Sequence, residues 1–364
     1  MNPEAQQFTL MGMSVPDALP LAVLFGGRSE EHEVSLQSAK TVIDNLDPRK
    51  YQVHLVGITR QGGWLGPEAS ARLLEGQEPG EEGGAPYLPA GVECVFPVLH
   101  GPYGEDGLIQ GWLQLLDVPF VGADAVGSQL AMDKILSKLV LRYHGIQVPS
   151  WTEVTREEYH TDPANAIHRS LMRGTPSFVK PNRQGSSIGI SRVADETEMA
   201  AALELALQHD DRVLVEPEID GREFEVAVLD GEPLIVSEPG EIVSDSWYDY
   251  KSKYQDDSAQ LVAPVEDLHK SARIKMMNVA ADAFRLLRLS GLARVDFRVK
   301  SHCGRVYLNE VNSMPGFTAI SMFPRLMGLA GVPLPAQLDR MIRVAMRGRA
   351  RSSASSKTPS RQIS

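Results

Sequence analysis

From its N-terminal end the chain alternates short apolar runs with amphipathic stretches. "PLAVLFGG" is an apolar run closed by glycines, the signature of a buried parallel strand that ends in a loop. "SLQSAKTVIDNL" then sets Leu36, Ala39, Val42, Ile43 and Leu46 at helical spacing. "YQVHLVGIT", "VECVFPVLH" and "PFVG" return to strand chemistry, so the β-α-β order predicts a small doubly wound α/β domain over 20–123. Residues 61–91, rich in Gly, Pro and Glu, read as a surface excursion within it.

The next stretch, "SQLAMDKILSKLVLRYHG", predicts one helix closed by Gly145. A strand (146–154), a helix (163–173), the strand "PSFVKP" and a Gly/Ser loop come after it. "SIGISRV", the helical "ETEMAAALELALQHD" and the strand "RVLVEPEI" complete a second α+β unit, over 124–217. A third unit, over 218–348, opens with two β-type runs in "REFEVAVLDGEPLIVSE", joined at Asp230-Gly231 in a hairpin signal. It continues with a polar, aromatic loop (244–258), a helix (266–290), the hairpin "LARVDFRV–KSHCG–RVYLNEV" and a last helix over roughly 335–347. Residues 349–364 are basic and Ser-rich without periodicity, the pattern of a disordered tail.

Composition narrows the class. A chain of 364 residues exceeds one ordinary core, consistent with several domains. No apolar run approaches a membrane span. Lys and Arg are absent before Arg28 and prolines interrupt the leading apolar stretch, so no signal peptide is expected. Cys94 and Cys303 stand far apart, which disfavours a disulfide framework or a zinc site and fits a reducing cytoplasm. A net charge of −11 argues against a nucleic-acid surface.

The chemistry concentrates on the last hairpin. Arg294 and Asp296 share one strand face, and Glu310 and Asn312 share a face of the partner strand. If Asp296 lies opposite Glu310, the four polar groups converge, and two opposed carboxylates repel unless a cation lies between them. Oxygen-only donors specify a hard ion such as Mg²⁺, and three on one hairpin favour this over an Arg–Asp pair on a solvated face. Phosphates usually accompany that ion, yet there is no P-loop and no G-x-G fingerprint. What remains is "VKPNRQGSSIGISRV", with Lys180 at a strand end before a flexible loop, together with Lys134. "VLVEPEIDGREF" suits an adenine hinge, in which the Pro217 carbonyl and Ile219 N–H meet the base and Glu223 the ribose. An edge strand leaving its sheet describes the same stretch equally well.

Taken in order, "GGRSEEHEVSL", "LHGPYGEDG", "MDK", "VKPNRQGSSIGIS", "YDYKSKY", "RVDF" and "NEVNSMPG" resemble the D-alanine–D-alanine ligase family of ATP-grasp carboxylate–amine ligases. The resemblance covers about 20–345. It implies a three-domain ATP-grasp fold and ATP-dependent joining of two D-alanines through an acyl phosphate, for peptidoglycan. It implies two Mg²⁺ ions, replaceable by Mn²⁺, on Asp296, Glu310 and Asn312. The nucleotide falls to Lys134, Lys180, Ser187, Glu216, Pro217, Ile219, Glu223 and Lys253. Glu31 takes the first ammonium, beside His100, and Ser321 the second carboxylate. Arg294 and the Gly316 N–H face the tetrahedral intermediate, and Tyr254 joins Ser186 and Glu31 in a cluster. A cytoplasmic homodimer, with neither nucleic-acid nor membrane partner, is implied as well. A D-alanine–D-lactate ligase, another carboxylate–amine ligase and a non-catalytic nucleotide module are the competing expectations. Tyr254 favours the dipeptide, and the complete set of charged residues favours catalysis.

Overall fold

The apolar run that opens the chain forms β1 (Leu19–Gly26), flanked in parallel by β2 (Tyr51–Ile58) and β3 (Cys94–Pro97) in the order β2-β1-β3. The computed structural model describes residues 18–243, 260–318 and 320–355. Alternation along β1 serves two cores: Leu21, Val23 and Phe25 enter one, and Ala22 and Leu24 the other. Helices α1 (His32–Asn45), α2 (Pro67–Leu74) and α3 (Leu108–Leu115) complete this unit.

Three local expectations differ here. The excursion at 61–91 carries α2 and is closed by a bridge from Trp64 to Gly84, with Trp64 packed edge-on against Tyr87. "PFVG" makes only an isolated bridge, Phe120 to Val95. The single helix expected around "MDK" is two, α4 (Ala125–Met132) and α5 (Lys134–Tyr143). Asp133 between them is extended (φ −80, ψ 101), and its carboxylate accepts the Leu136 N–H as the N-cap of α5. An aspartate competes for backbone donors in this way inside an otherwise helical pattern, and here it places Lys134 at the first turn of α5.

The second sheet runs β4-β7-β5-β6, from β4 (Thr152–Thr155), β5 (Ser177–Pro181), β6 (Ser191–Val193) and β7 (Arg212–Pro217). It is covered by α7 (Pro163–Leu171) and α8 (Met199–His209), with the short α6 (Arg156–Thr161) at its edge. Its buried core cluster, from Val154 to Val215, shares no residue with the other cores. Helices α4 and α5 belong elsewhere: Ala131 and Leu141 enter the core of the third sheet.

That sheet runs β11-β10-β8-β12-β13, with β9 paired to β8. Its strands are β8 (Gly221–Leu229), β9 (Ile235–Val236), β10 (Gly240–Val243), β11 (Gln260–Val262), β12 (Leu292–Lys300) and β13 (Val306–Asn312). The hairpin expected at Asp230-Gly231 is present, pairing Leu229 with Ile235. One face packs on α9 (Lys270–Leu286), shorter than expected at both ends. The other face, through Ala227 and Leu229, joins α10 (Met322–Leu329), α11 (Leu334–Ser355) and the β1 sheet in one core. Helix α11 runs past the expected end to Ser355, into the stretch expected as a disordered tail: Arg and Ala favour helix, and Gly348 costs it only about 1 kcal/mol.

Candidate active site

Antiparallel pairing aligns three carboxylates across three strands. Asp296 of β12 stands opposite Glu225 of β8 on one side and Glu310 of β13 on the other. Directly opposed side chains sit about 4.5–5.5 Å apart at Cβ, so three like charges in a row require cations close by. Arg294 supplies one: its Nε and second guanidinium nitrogen donate to the two Asp296 oxygens at 2.8 and 2.7 Å, and Nε lies 3.2 Å from Glu225. Lys134 supplies another, 3.9 Å from Glu310. Asn312 donates its Nδ2 to Asp296 at 3.0 Å. Asp296, Glu310 and Asn312 thus meet as expected, although Asp296 is buried behind the other two, which line the cleft.

The donor chemistry fits a hard divalent cation: opposed carboxylates, an amide and no His or Cys. Among the described residues no group of three or more His, Cys, Asp or Glu side chains surrounds one point. Asn312 and oxygens of a bound ligand would therefore have to complete such an ion's shell, which is how Mg²⁺ is commonly held.

Opposite the hairpin, Glu31 takes the N-cap position of α1 without capping it. Its carboxylate instead accepts the Ser186 hydroxyl, which belongs to the loop after β5. Gly101 and Gly185 both press on this carboxylate. A Cβ on Gly101 or Gly185 would come within 2.5 and 2.8 Å of Glu31 Oε2, so a larger residue at either would displace this carboxylate. Ser186 and Ser187 both adopt left-handed backbone (φ 49 and 60), a conformation costly for non-glycine residues and concentrated at functional loops. Lys134 Nζ donates to the Gln184 carbonyl at 2.5 Å, so the same ammonium ties this loop to the hairpin.

His100 is buried, and both of its ring nitrogens are engaged. Nδ1–H donates to the Met314 carbonyl at 3.0 Å; Nε2 accepts from Ser38 Oγ at 3.0 Å, which in turn accepts the Phe317 N–H. Burial holds the imidazole neutral, its pKa lowered to about 4. Its contact with any ligand is therefore by carbon edge, and its polar bonds brace the 314–317 turn. Gly316 and Ser321 face each other there: a Cβ on Gly316 would lie 2.9 Å from Ser321 Oγ, and that hydroxyl bonds Thr318.

A second recess opens on the other side of Glu310. Lys180, Ser187, Glu216, Pro217, Ile219 and Glu223 line it together, walled by Phe178, Ile190 and Pro149. Glu216 is enclosed between Lys180 (2.7 Å) and Lys138 (2.9 Å). Burial would raise its pKa, but the two ammoniums hold the carboxyl below its ordinary value. Glu223 pairs with Arg298 at 2.6 Å. Glu310 lines both recesses and so forms their common wall. Lys253 and Tyr254, expected over the cleft, lie outside the described residues.

Sequence reasoning passed over four residues that the structure brings to this site. Glu105 accepts the N–H of Gly101 (2.9 Å) and of Met314 (3.1 Å), clasping two substrate-side loops. Burial, then the charge of Glu31, pushes its pKa up to about 8. Glu225 was legible as the residue two before Ala227 on a strand facing β12. Lys138 lies one helical turn after Lys134. Asn309 sits in a β-bulge, whose signal was the phase shift of the apolar positions from Val306 and Leu308 to Val311.

Comparison with known proteins places these residues in a family. Residues 20–123 match the model described as D-ala D-ala ligase N-terminus, and 140–343 that of the D-ala D-ala ligase C-terminus. A D-alanine–D-alanine ligase of Thermoanaerobacter sp. (strain X514) is 41% identical over 351 residues, covering 90% of this chain and 96% of that one. One from Halothermothrix orenii is 40% identical, covering 91% and 99%. Among solved structures, the D-alanine–D-alanine ligase of Coxiella burnetii superposes with a TM-score of 0.80 at 34% identity, covering 94% and 97%. The VanG D-Ala:D-Ser ligase of Enterococcus faecalis gives 0.79 at 34%, covering 90% and 99%.

The neutral imidazole carries a pH consequence. His100 titrates near 4 in the folded chain against about 6.5 unfolded, so the unfolded state binds more protons between those values. Its stabilising contribution is complete above about pH 6.5 and declines as pH falls toward 4, by roughly 3 kcal/mol in all. Thermal unfolding midpoints of wild type and His100→Gln should converge as pH drops through this window. Parallel pH profiles for the two proteins would contradict the assignment.

Proposed function

The chain belongs to the D-alanine–D-alanine ligase family, with the ATP-grasp fold of its structural relatives, and on that premise we propose how its cleft joins two D-alanines at the expense of ATP. The enzyme is an ATP-dependent ligase that forms ADP and phosphate and supplies peptidoglycan synthesis. The observation that carries the assignment of roles is the position of Glu310 between the two recesses. A phosphoryl group passing from a nucleotide in one to a carboxylate in the other crosses at that residue.

In the outer recess the Pro217 carbonyl and Ile219 N–H receive adenine, Glu216 lies beneath it, and Glu223 meets the ribose. Lys180 and Lys134 take the phosphates, and Ser187 and its loop cover them. Glu31, oriented by Ser186, holds the ammonium of the first D-alanine, and His100 and Glu105 fix the loops around it. Its carboxylate attacks the γ-phosphate, giving an acyl phosphate and ADP. The free amine of the second D-alanine, whose carboxylate lies at Ser321, then attacks the acyl carbon: the C–N bond forms, the C–O bond to phosphate breaks, and the nitrogen gives up a proton as phosphate departs. Arg294 and the Gly316 N–H accept the oxyanion charge that develops. Asp296, Glu310 and Asn312 would hold Mg²⁺, which neutralises phosphoryl charge. Lys253, toward the transferred phosphate, and Tyr254, with Ser186 and Glu31, complete the proposed roles.

The enzyme is further proposed to act in the cytoplasm as a homodimer. No helix among the described residues is long and apolar enough to cross a membrane. Leu136, Leu139 and Tyr143 stand at i, i+3 and i+7 on an exposed face of α5, with Tyr143 87% exposed. Leu108, Leu115 and Leu116 are exposed on and beside α3, whose neighbour α4 packs on α5. Such clustering of large apolar side chains suits a self-complementary interface.

Phosphate release from Mg·ATP should depend on D-alanine and be absent with L-alanine, and D-serine or D-lactate should serve poorly as second substrates. Release that ignores D-alanine would refute the ligase reading. Arg294→Ala should lower kcat by about 10²–10³, the cost of one lost oxyanion donor, whereas an unaltered kcat would remove Arg294 from the reaction. Sedimentation should give a dimer for the wild type and a monomer for Leu139→Glu; identical masses would move the interface elsewhere.

A further inference from the structure

Lys138 is among the largest fully buried side chains of the protein, 1% exposed, and none of the ligand contacts assigned above uses it. Burying an ammonium is costly unless it is paired and fully hydrogen-bonded, so its partners identify its purpose. There are two. Its Nζ lies 2.9 Å from one oxygen of Glu216 and donates to the main-chain carbonyl of Asn309 at 2.8 Å. Asn309 is the bulge residue of β13: Asp296 pairs with Glu310 and the next residue, Phe297, with Leu308, so Asn309 has no register partner on β12. The side chain of the same residue accepts from Lys180 at 3.3 Å, and Lys180 returns to the other oxygen of Glu216 at 2.7 Å. Lys138, Glu216, Lys180 and Asn309 therefore close a ring.

Two physical consequences follow from that ring. A β-bulge re-aims the side chains next to it, and the neighbour here is Glu310, the wall between the two recesses. With its carbonyl held from α5, Asn309 is fixed, and so is the direction of Glu310. The charges matter as well. Two ammoniums and one carboxylate leave the ring with one net positive charge beside the recess, which favours an anion. A neutral residue at 138 would leave Lys180 and Glu216 as a self-compensated pair.

We infer that Lys138 is a positioning residue for the nucleotide, tethering the Asn309 bulge and Glu216 so that Lys180 and Glu310 face the phosphates. This inference rests on reading the recess as the ATP site. It also separates the two substrates: Lys138 touches neither Glu31 nor Ser321, so loss of its function should spare D-alanine.

The test is calorimetric titration of wild type and Lys138→Met with Mg·AMP-PNP, alongside the KM for D-alanine. Lys138→Met should bind the nucleotide about 10–100-fold more weakly, the usual effect of removing a residue that orients a ligand-binding group, with KM for D-alanine within about twofold. A second comparison, Glu216→Gln against Glu216→Gln/Lys138→Met, keeps the test open should the single variant fail to fold, because there the Lys138 ammonium leaves together with its carboxylate partner and only Lys180 keeps a buried charge. Nucleotide affinity should fall again in this pair, through the Asn309 carbonyl. Unchanged affinity in either background, or equal weakening toward both substrates, overturns the inference. If the wild type itself fails to bind Mg·AMP-PNP, the ATP-site reading fails instead.

Discussion

Strand register in the third sheet forces Glu225, Asp296 and Glu310 into one row, and the cleft is organised around the repulsion this creates. Like charges opposite one another destabilise a sheet, so the row persists only with cations fixed against it. Arg294 and Lys134 are those cations in the protein alone. Both come from elements placed for the purpose: Arg294 lies two positions from Asp296 on the same strand face, and Lys134 occupies the first turn of a helix started by Asp133. The remaining electrostatic demand at Glu310 and Asn312 opens into the cleft, where the proposed Mg²⁺ and phosphates would meet it.

From this row the division of labour between the sheets follows. The third sheet carries the charges of the reacting centre. The first brings Glu31, His100 and Glu105 on the loops after β1 and β3, at the carboxyl ends of parallel strands where α/β sheets present their sites. The second contributes Lys180, Glu216 and the strained Ser186–Ser187 turn. Glycine at 101 and 185 lets two of these loops approach one carboxylate closely.

Much of this was legible in the chain because period-two alternation fixes which side chains share a face. Arg294 with Asp296, and Glu310 with Asn312, could be assigned together before any coordinates, and the Asp230-Gly231 turn was equally plain. The bulge at Asn309 showed only as a one-residue phase shift between Leu308 and Val311, which marks an irregularity without telling which residue leaves the register. The break at Asp133 was not plain, where a helical hydrophobic pattern continues through a capping residue. Glu105 was hidden in a glycine-rich turn because its role comes from the backbone of Met314, more than two hundred positions away. Local pattern reports faces and turns; contacts between distant loops appear only once the sheets are assembled.

The second sheet keeps a core of its own, and the side chains that join it to its neighbours across the cleft are charged or hydroxylic: Lys138 to Glu216, Lys180 to Asn309, Ser186 to Glu31. Separating this lobe would uncover ions rather than hydrocarbon. Little heat-capacity change accompanies such a movement, because that quantity tracks apolar hydration. Screening by dissolved salt reaches such pairs only once they are separated, because buried charges are screened far less than exposed ones. The lobe is thus held by a polar joint whose separated form, more than its closed one, would answer to the ionic composition of the surroundings.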